Sequence, residues 1–117
     1  MKLLLILNGN PYDGSDVTRN ALRLADFTLK AGDSVSIFLM NDAVDLARQG
    51  ITPGDYDTNL GDMLVDLIAR GVPVKVCGTC LTRCGVAREN PLVEGTASAK
   101  MPELVEWIKE ADRVVSF

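Results

Sequence analysis

Three short apolar runs, separated by stretches with helical periodicity, constrain the fold of this chain more than any other feature. The runs are Leu3–Leu7, Ser34–Met40 and Val72–Val76, and each ends abruptly in turn residues or at a cysteine. Continuous apolar runs of this length are typical of strands that are covered on both faces. Strands that alternate with helices predict a parallel sheet between two helical layers. We therefore predict an α/β fold, a three-layer α/β/α sandwich.

Capping residues and apolar periodicity predict four helices. They begin at Ser15 or Asp16, at Asn41 or Asp42, at Asn59 and around Pro102. The final helix is predicted to turn three apolar side chains inward, namely Leu104, Val105 and Ile108. Arg113–Phe117 is predicted as the last strand, and Leu92–Glu94 as either a short strand or an irregular edge.

Length and charge limit the classes of partner. A chain of 117 residues forms one domain, here residues 1–117. Its formal net charge is -4 without any cluster of Lys or Arg, which argues against nucleic acid and anionic membranes as partners. The opening apolar run is too short for a secretion signal or a membrane span, so we expect a cytoplasmic protein. Because short chains bury a modest share of their surface, a homo-oligomer is expected.

The segment CGTCLTRCG, Cys77 to Gly85, is the most informative stretch. It packs three cysteines into eight residues, an odd number that suits thiol chemistry in a reducing compartment better than a disulfide framework. Cys77 closes a predicted strand and the segment after it is predicted as a loop that could open with a helical turn. Free N–H groups there, together with Arg83, would stabilise a thiolate, which attacks sulfur and can hold a persulfide.

Other interpretations of the three cysteines stay open at this point. A zinc or iron–sulfur site needs four ligands, whereas the chain has three Cys and no His. Cys77 and Cys80 could form a thiol-redox pair, and inert buried thiols are an alternative that suits Cys84 best. Without His there is no Ser-His-Asp couple, and no nucleotide fingerprint occurs. We expect no cofactor.

Three polar loops follow the predicted strands, and the carboxyl ends of parallel strands are where ligands bind in such sheets. The loops are Asn8–Gly14, Asn41-Asp42 and Gly78–Gly85. We expect them to converge around the cysteines. The residues predicted to line a pocket there are Asn8, Gly9, Tyr12, Asn41, Asp42, Cys84 and Gly85.

Five segments in register make the chain resemble the DsrE/DsrF-like family, and within it the YchN-like branch. They are NGNPYDGSD, IFLMNDAV, PGDYDTNLGDML, VPVKVCGTC and ADRVVSF. The resemblance implies a five-stranded parallel sheet and a homotrimer or homohexamer. It also implies that sulfur is carried as a persulfide on the cysteine after the third strand, which is Cys77 here, and passed between proteins. Cys80 matches a second cysteine of the YchN-like branch.

One position departs from the pattern of the sulfur-relay members. They carry Arg-Arg-Gly some residues after the cysteine, where this chain has Arg83, Cys84 and Gly85. Our leading hypothesis is a sulfur carrier or sulfurtransferase that exchanges sulfur with donor and acceptor proteins. In it Cys77 accepts the persulfide, Cys80 relays or resolves it, and Arg83 stabilises the thiolate. The alternatives are a non-catalytic oligomeric binding module with cysteines lining an inter-subunit pocket, and a thiol-redox or metal site at Cys77 and Cys80.

Overall fold

A computed structural model describes residues 1–51, 59–83 and 91–117. Five strands form one sheet: β1 (Lys2–Leu7), β2 (Ser34–Leu39), β3 (Val74–Cys77), β4 (Thr96–Ala99) and β5 (Arg113–Ser116). Their order across the sheet is β4-β3-β2-β1-β5, and every neighbouring pair is parallel. β3, which carries the first cysteine, therefore lies between β2 and β4 with its carboxyl end beside theirs.

The connections between the strands are helical. They are α1 (Val17–Lys30), a 3₁₀ helix (Asn41–Ala47), α2 (Leu60–Ala69), α3 (Gly78–Arg83) and α4 (Met101–Glu110). The predicted capping at Asn59 is present, since its Oδ1 accepts a hydrogen bond from the Asp62 N–H at 3.2 Å. In the ranges that the structure describes, no helix combines the length and apolar character needed to cross a membrane.

The two faces of the sheet bury different sets of side chains. On one, which we call the α1/α2 face, alternate residues of β1, β2 and β3 pack against α1, α2 and the 3₁₀ helix. On the other, the α4 face, Leu4, Phe38, Cys77 and Ala99 pack against Leu104 of α4. The Trp107 ring meets Phe38 edge-on, with centroids 6.1 Å apart. This is the α/β/α sandwich with a five-stranded parallel sheet.

Several local predictions differ from the structure. Leu92 makes one antiparallel bridge to Arg48, and the fourth strand lies a few residues later, at Thr96–Ala99. The segment from Asn41 to Ala47 is a 3₁₀ helix, and only Leu104 of the three α4 residues is buried. Val105 and Ile108 are 44% and 43% exposed. The sequence of β4, TASA, is too polar and too small to reveal an edge strand by its apolar pattern.

Candidate functional site

Cys77 is the last residue of β3 and lies inside the protein. It pairs in register with Ala99 of β4, and its side chain belongs to the buried cluster of the α4 face with Leu4, Phe38 and Leu104. The residue is only 7% exposed. The predicted reactive thiol is thus held on a rigid strand end, but beneath the protein surface instead of at the mouth of the crevice.

Gly78 lets helix α3 begin directly after this cysteine. A Cβ atom at position 78 would lie 2.8 Å from Oγ of Ser98 in β4, a separation that a side chain could not adopt without displacing a neighbour. Because the glycine allows the close approach, α3 occupies Gly78–Arg83 where we predicted a loop. The second cysteine, Cys80, therefore follows the first within one helical turn.

Cys80 lies at the boundary between the two faces. Its side chain is half-buried and packs against the buried clusters of both. Its Sγ accepts a hydrogen bond from the backbone N–H of Asn41, at an N–S distance of 3.1 Å. A hydrogen bond donated to sulfur favours the thiolate over the thiol. Cys80 is therefore the more accessible of the two described thiols and carries an N–H donor.

Asn41 ties this sulfur to the end of β1. It follows β2 by two residues with a φ of 50°, and it is the only non-glycine residue with positive φ in the described ranges. Its side-chain Nδ2 donates to Oδ1 of Asn8 at 3.1 Å. The Asn8 N–H in turn donates to the carbonyl oxygen of Phe117 at 2.8 Å. The structure thus brings Asn8, Asn41 and Cys80 together at the carboxyl ends of β1, β2 and β3.

The loop after β1 is held by its own polar side chains. Asn10 Oδ1 accepts a hydrogen bond from the Tyr12 N–H at 2.9 Å, and Asp13 Oδ1 accepts one from the Ser15 hydroxyl at 2.7 Å. The Ser15 hydroxyl and N–H hold the pKa of Asp13 below its ordinary value of 3.8. Tyr12 packs against the core of the α1/α2 face, whereas Gly9 is exposed. Of these two predicted lining residues, Tyr12 supports the protein's own packing.

The structure describes the remaining predicted site residues only in part. Asp42 is exposed in the first turn of the 3₁₀ helix. Arg83 is the last residue of α3, but its side chain lies outside the described residues. Cys84 and Gly85 lie outside them altogether. Within the described part of the chain, no group of three or more side chains is arranged to hold a metal ion.

Arg48 is a buried charge that the sequence pattern does not reveal. Its side chain is fully buried, and its Nε donates to Asp45 Oδ1 at 2.6 Å. Neither Nη1 nor Nη2 has a hydrogen-bond partner among the described residues. Arg48 follows the 3₁₀ helix that begins at Asn41, but only the pairing with Asp45 is defined, so we assign it no part in the thiol site. Only its position three residues after an aspartate could have suggested this pairing.

Comparison with known proteins places these features in a family. The chain matches the DsrE/DsrF-like family over residues 1–117. It belongs to that family. Protein YchN of Escherichia coli strain K12 is 39% identical over 119 residues, covering 99% of this chain and 98% of YchN. The uncharacterized protein MJ0989 of Methanocaldococcus jannaschii is 37% identical over the full length of both chains, 117 residues.

The solved structures agree with the sequence relatives. The crystal structure of the E. coli ychN protein superimposes with a TM-score of 0.88 at 37% identity, covering 100% of this chain and 99% of that one. The five-stranded parallel sheet and its helical layers are therefore the fold of a DsrE/DsrF-like protein, and the resemblance read from the sequence is confirmed.

Proposed function

We propose that this DsrE/DsrF-like protein carries sulfur as a persulfide on Cys77 and exchanges it with donor and acceptor proteins through Cys80. The observation that carries the proposal is the arrangement of the two thiols at the carboxyl end of β3. Cys77 ends the strand and is 7% exposed, while Cys80 is half-buried and accepts a hydrogen bond at Sγ. Two thiols with different access suit a carrier that must both protect and release a reactive sulfur.

The difference in burial supports a division of labour. A persulfide on an exposed cysteine is open to reduction by any thiol in solution, because thiol exchange depends on access to the sulfur. Leu4, Phe38 and Leu104 pack around Cys77 and shield it from solvent. Cys77 belongs to this cluster and Cys80 packs against it. In the proposed function, sulfur passes from one cysteine to the other beside this cluster. Such chemistry needs reduced thiols, so we place the protein in the cytoplasm.

The transfer is a pair of displacements at sulfur. The Cys80 thiolate attacks the outer sulfur of a donor persulfide, a new S–S bond forms, and the donor leaves as a thiolate. The Cys77 thiol then gives up its proton, and its sulfur attacks the outer sulfur on Cys80. The S–S bond to Cys80 breaks, and Cys80 leaves as a thiolate that takes up the proton released by Cys77. No net oxidation occurs in either step, because the same sulfane sulfur moves from one thiolate to the next. Arg83 would stabilise the thiolates by its charge.

Intact mass spectrometry tests the proposal. The protein is incubated with a persulfide-loaded cysteine desulfurase, or with thiosulfate, which would transfer its outer sulfur and release sulfite. The wild type should gain the mass of one sulfur atom, and dithiothreitol should remove it. Cys77→Ser should lose the stable gain. Cys80→Ser should load more slowly but reach the same final occupancy.

Cys84→Ser is the matched control, because it removes the third cysteine and should load like the wild type. An undiminished gain of sulfur on Cys77→Ser would contradict the assignment of the carrier to Cys77. If neither donor adds sulfur to the wild type, the protein is better described by the alternative of an oligomeric binding module. In that case Cys77→Ser should leave partner affinity unchanged.

Thiol–disulfide exchange is a second candidate, favoured by the start of α3 at Gly78. A cysteine just before a helix and another within its first turn is the arrangement of C-x-x-C redox motifs. In this reaction Cys77 and Cys80 would form a disulfide while an oxidant disulfide is reduced to two thiols. Treatment with oxidised glutathione should then remove two hydrogen masses from the wild type and none from Cys80→Ser. Stable glutathione adducts without that loss would contradict it.

A further inference from the structure

The backbone at Asn41 has an unusual conformation at a point where it contacts a reactive atom. A φ of 50° lies in the left-handed region, which asparagine tolerates better than most residues with a side chain. In this conformation the N–H of Asn41 is directed at Cys80 Sγ, 3.1 Å away. The side chain of Asn41 reaches Asn8 Oδ1 in the other direction. The residue thus links the ends of β1 and β2 to the sulfur.

We infer that Asn41 is a positioning residue for Cys80: its left-handed backbone aims the main-chain N–H at the sulfur and keeps the thiolate reactive. The inference goes beyond the proposed function, which uses the hydrogen bond at Cys80 Sγ but gives the backbone conformation of Asn41 no role. It concerns the ionisation and reactivity of one thiol, which can be measured without any sulfur transfer. The side chain of Asn41 acts only by favouring this backbone conformation.

The described charged side chains of the two elements that pack most closely on α3 do not supply the same effect. The 3₁₀ helix and β3 are the elements that pack most closely on α3. The 3₁₀ helix carries Asp42 and Asp45, and two acidic groups disfavour a neighbouring thiolate. Lys75 of β3 lies 3.5 Å from the carboxylate of Glu103 and over the Trp107 ring. The N–H of Asn41, in contrast, donates directly to Cys80 Sγ and favours the thiolate.

The test uses the full chain with Cys77→Ser and Cys84→Ser, so that Cys80 is the sole thiol. Two further variants separate backbone conformation from side chain. Asn41→Gly keeps the N–H and adopts positive φ without strain, whereas the β-branched side chain of Asn41→Val opposes it. The rate of alkylation by iodoacetamide is measured across pH, and the ultraviolet absorbance of the thiolate reports ionisation directly. Circular dichroism checks that each variant is folded.

We expect Asn41→Gly to retain the wild-type pH profile. Asn41→Val should move its midpoint to higher pH and slow alkylation near neutral pH by roughly tenfold, the change expected from loss of one hydrogen bond to a charged acceptor. Should Asn41→Val fail to fold, Asn41→Ala takes its place, with a shift in the same direction.

Two results would overturn the inference. An Asn41→Val profile that stays at the wild-type position would show that the backbone conformation does not control Cys80. A shift in the Gly variant as large as in the Val variant would assign the effect to the side chain. Neither result bears on whether the wild type accepts sulfur. Conversely, a protein that never forms a persulfide could still show the predicted profiles, so the two proposals fail separately.

Discussion

The two faces of the sheet are completed to different degrees within one chain. On the α1/α2 face, the buried cluster draws on three strands, two α-helices and the 3₁₀ helix. On the α4 face, α4 is the helix that covers the sheet. The structure describes α4 in full, and Leu104 is its only buried residue. The edge strand β5 is exposed along its whole length. The α1/α2 face therefore has the larger buried core, and the α4 face is covered by a single helix.

The exposed residues of α4 follow a pattern. Met101, Val105 and Ile108 are 53%, 44% and 43% exposed and recur at helical spacing, so they form one apolar stripe. Val114 of β5, 42% exposed, pairs with Leu4 and shares this side of the sheet. An apolar stripe beside an open strand edge favours burial against another copy of the chain. We therefore propose a homo-oligomer assembled through the α4 face.

The largest effect is expected where the α4 face is given a charge. We propose that the protein forms a homotrimer or homohexamer, and Val105→Asp should reduce its mass in multi-angle light scattering to the 12.6 kDa of one chain. Complete burial of an exposed valine contributes about 1.5–3 kcal/mol, and Val105, which is 44% exposed, can gain roughly half of that on assembly. An unpaired buried carboxylate costs several kcal/mol, and both contributions recur in every subunit.

Val65→Asp is the matched control for that experiment. Val65 is 46% exposed on α2, behind the opposite face of the sheet, so it tests the same substitution at the same exposure. It should leave the assembly intact. A wild type that already scatters as a 12.6 kDa monomer would contradict the proposed oligomer, and dissociation by Val65→Asp alone would place the contact on the other face.

Truncation within the α1/α2 face should have the next largest effect. Leu64→Ala removes a side chain of α2 that is 0% exposed, and it should lower the free energy of unfolding by about 2–5 kcal/mol. The adjacent Val65→Ala should change it by no more than about 0.5 kcal/mol. Urea unfolding at one protein concentration measures both, since assembly makes stability depend on concentration. Similar losses in the two variants would mean that α2 is not packed as the structure shows.

The same contrast between the faces explains how much of the fold could be predicted. The continuous apolar sequence of β1 and the apolar periodicity of α2 are strong signals for a strand and a helix, because the side chains that form them are buried within the chain itself. β4 was missed because TASA is short and largely exposed, and the outward stripe of α4 was misassigned for a related reason. Val105 and Ile108 have the spacing of core residues, and periodicity alone cannot say whether the cover comes from the same chain or another.

The candidate site divides in a similar way. Because parallel strands end at one edge, the sequence predicts that the loops after β1, β2 and β3 converge, and the structure places Asn8, Asn41 and Cys80 together there. The burial of Cys77 could not be predicted, since it depends on Phe38 and Leu104, which are distant in sequence. The hydrogen bond from the Asn41 N–H to Cys80 Sγ could not be predicted either. A backbone N–H is present in every residue except proline, so the residue type does not indicate such a donor.

The smallest expected effect is a pH-dependent change in stability caused by the contacts of Glu103 in α4. Glu103 Oε2 accepts the Lys100 backbone N–H at 2.7 Å, and its Oε1 lies 3.5 Å from Lys75 Nζ. The Lys100 N–H, with help from Lys75, holds the pKa of Glu103 below its ordinary value of 4.5. A carboxyl whose pKa is lower in the folded state contributes stability above its unfolded pKa and loses it as pH falls through the folded value.

Glu103→Gln should therefore be less stable than wild type at neutral pH, and the difference should shrink on the acid side of 4.5. Urea unfolding across this pH range measures the difference, with Glu106→Gln controlling for the lost charge. A difference that stays constant through the acid range would mean that the charge of Glu103 does not fasten α4, leaving Leu104 and Trp107 to hold the less complete face.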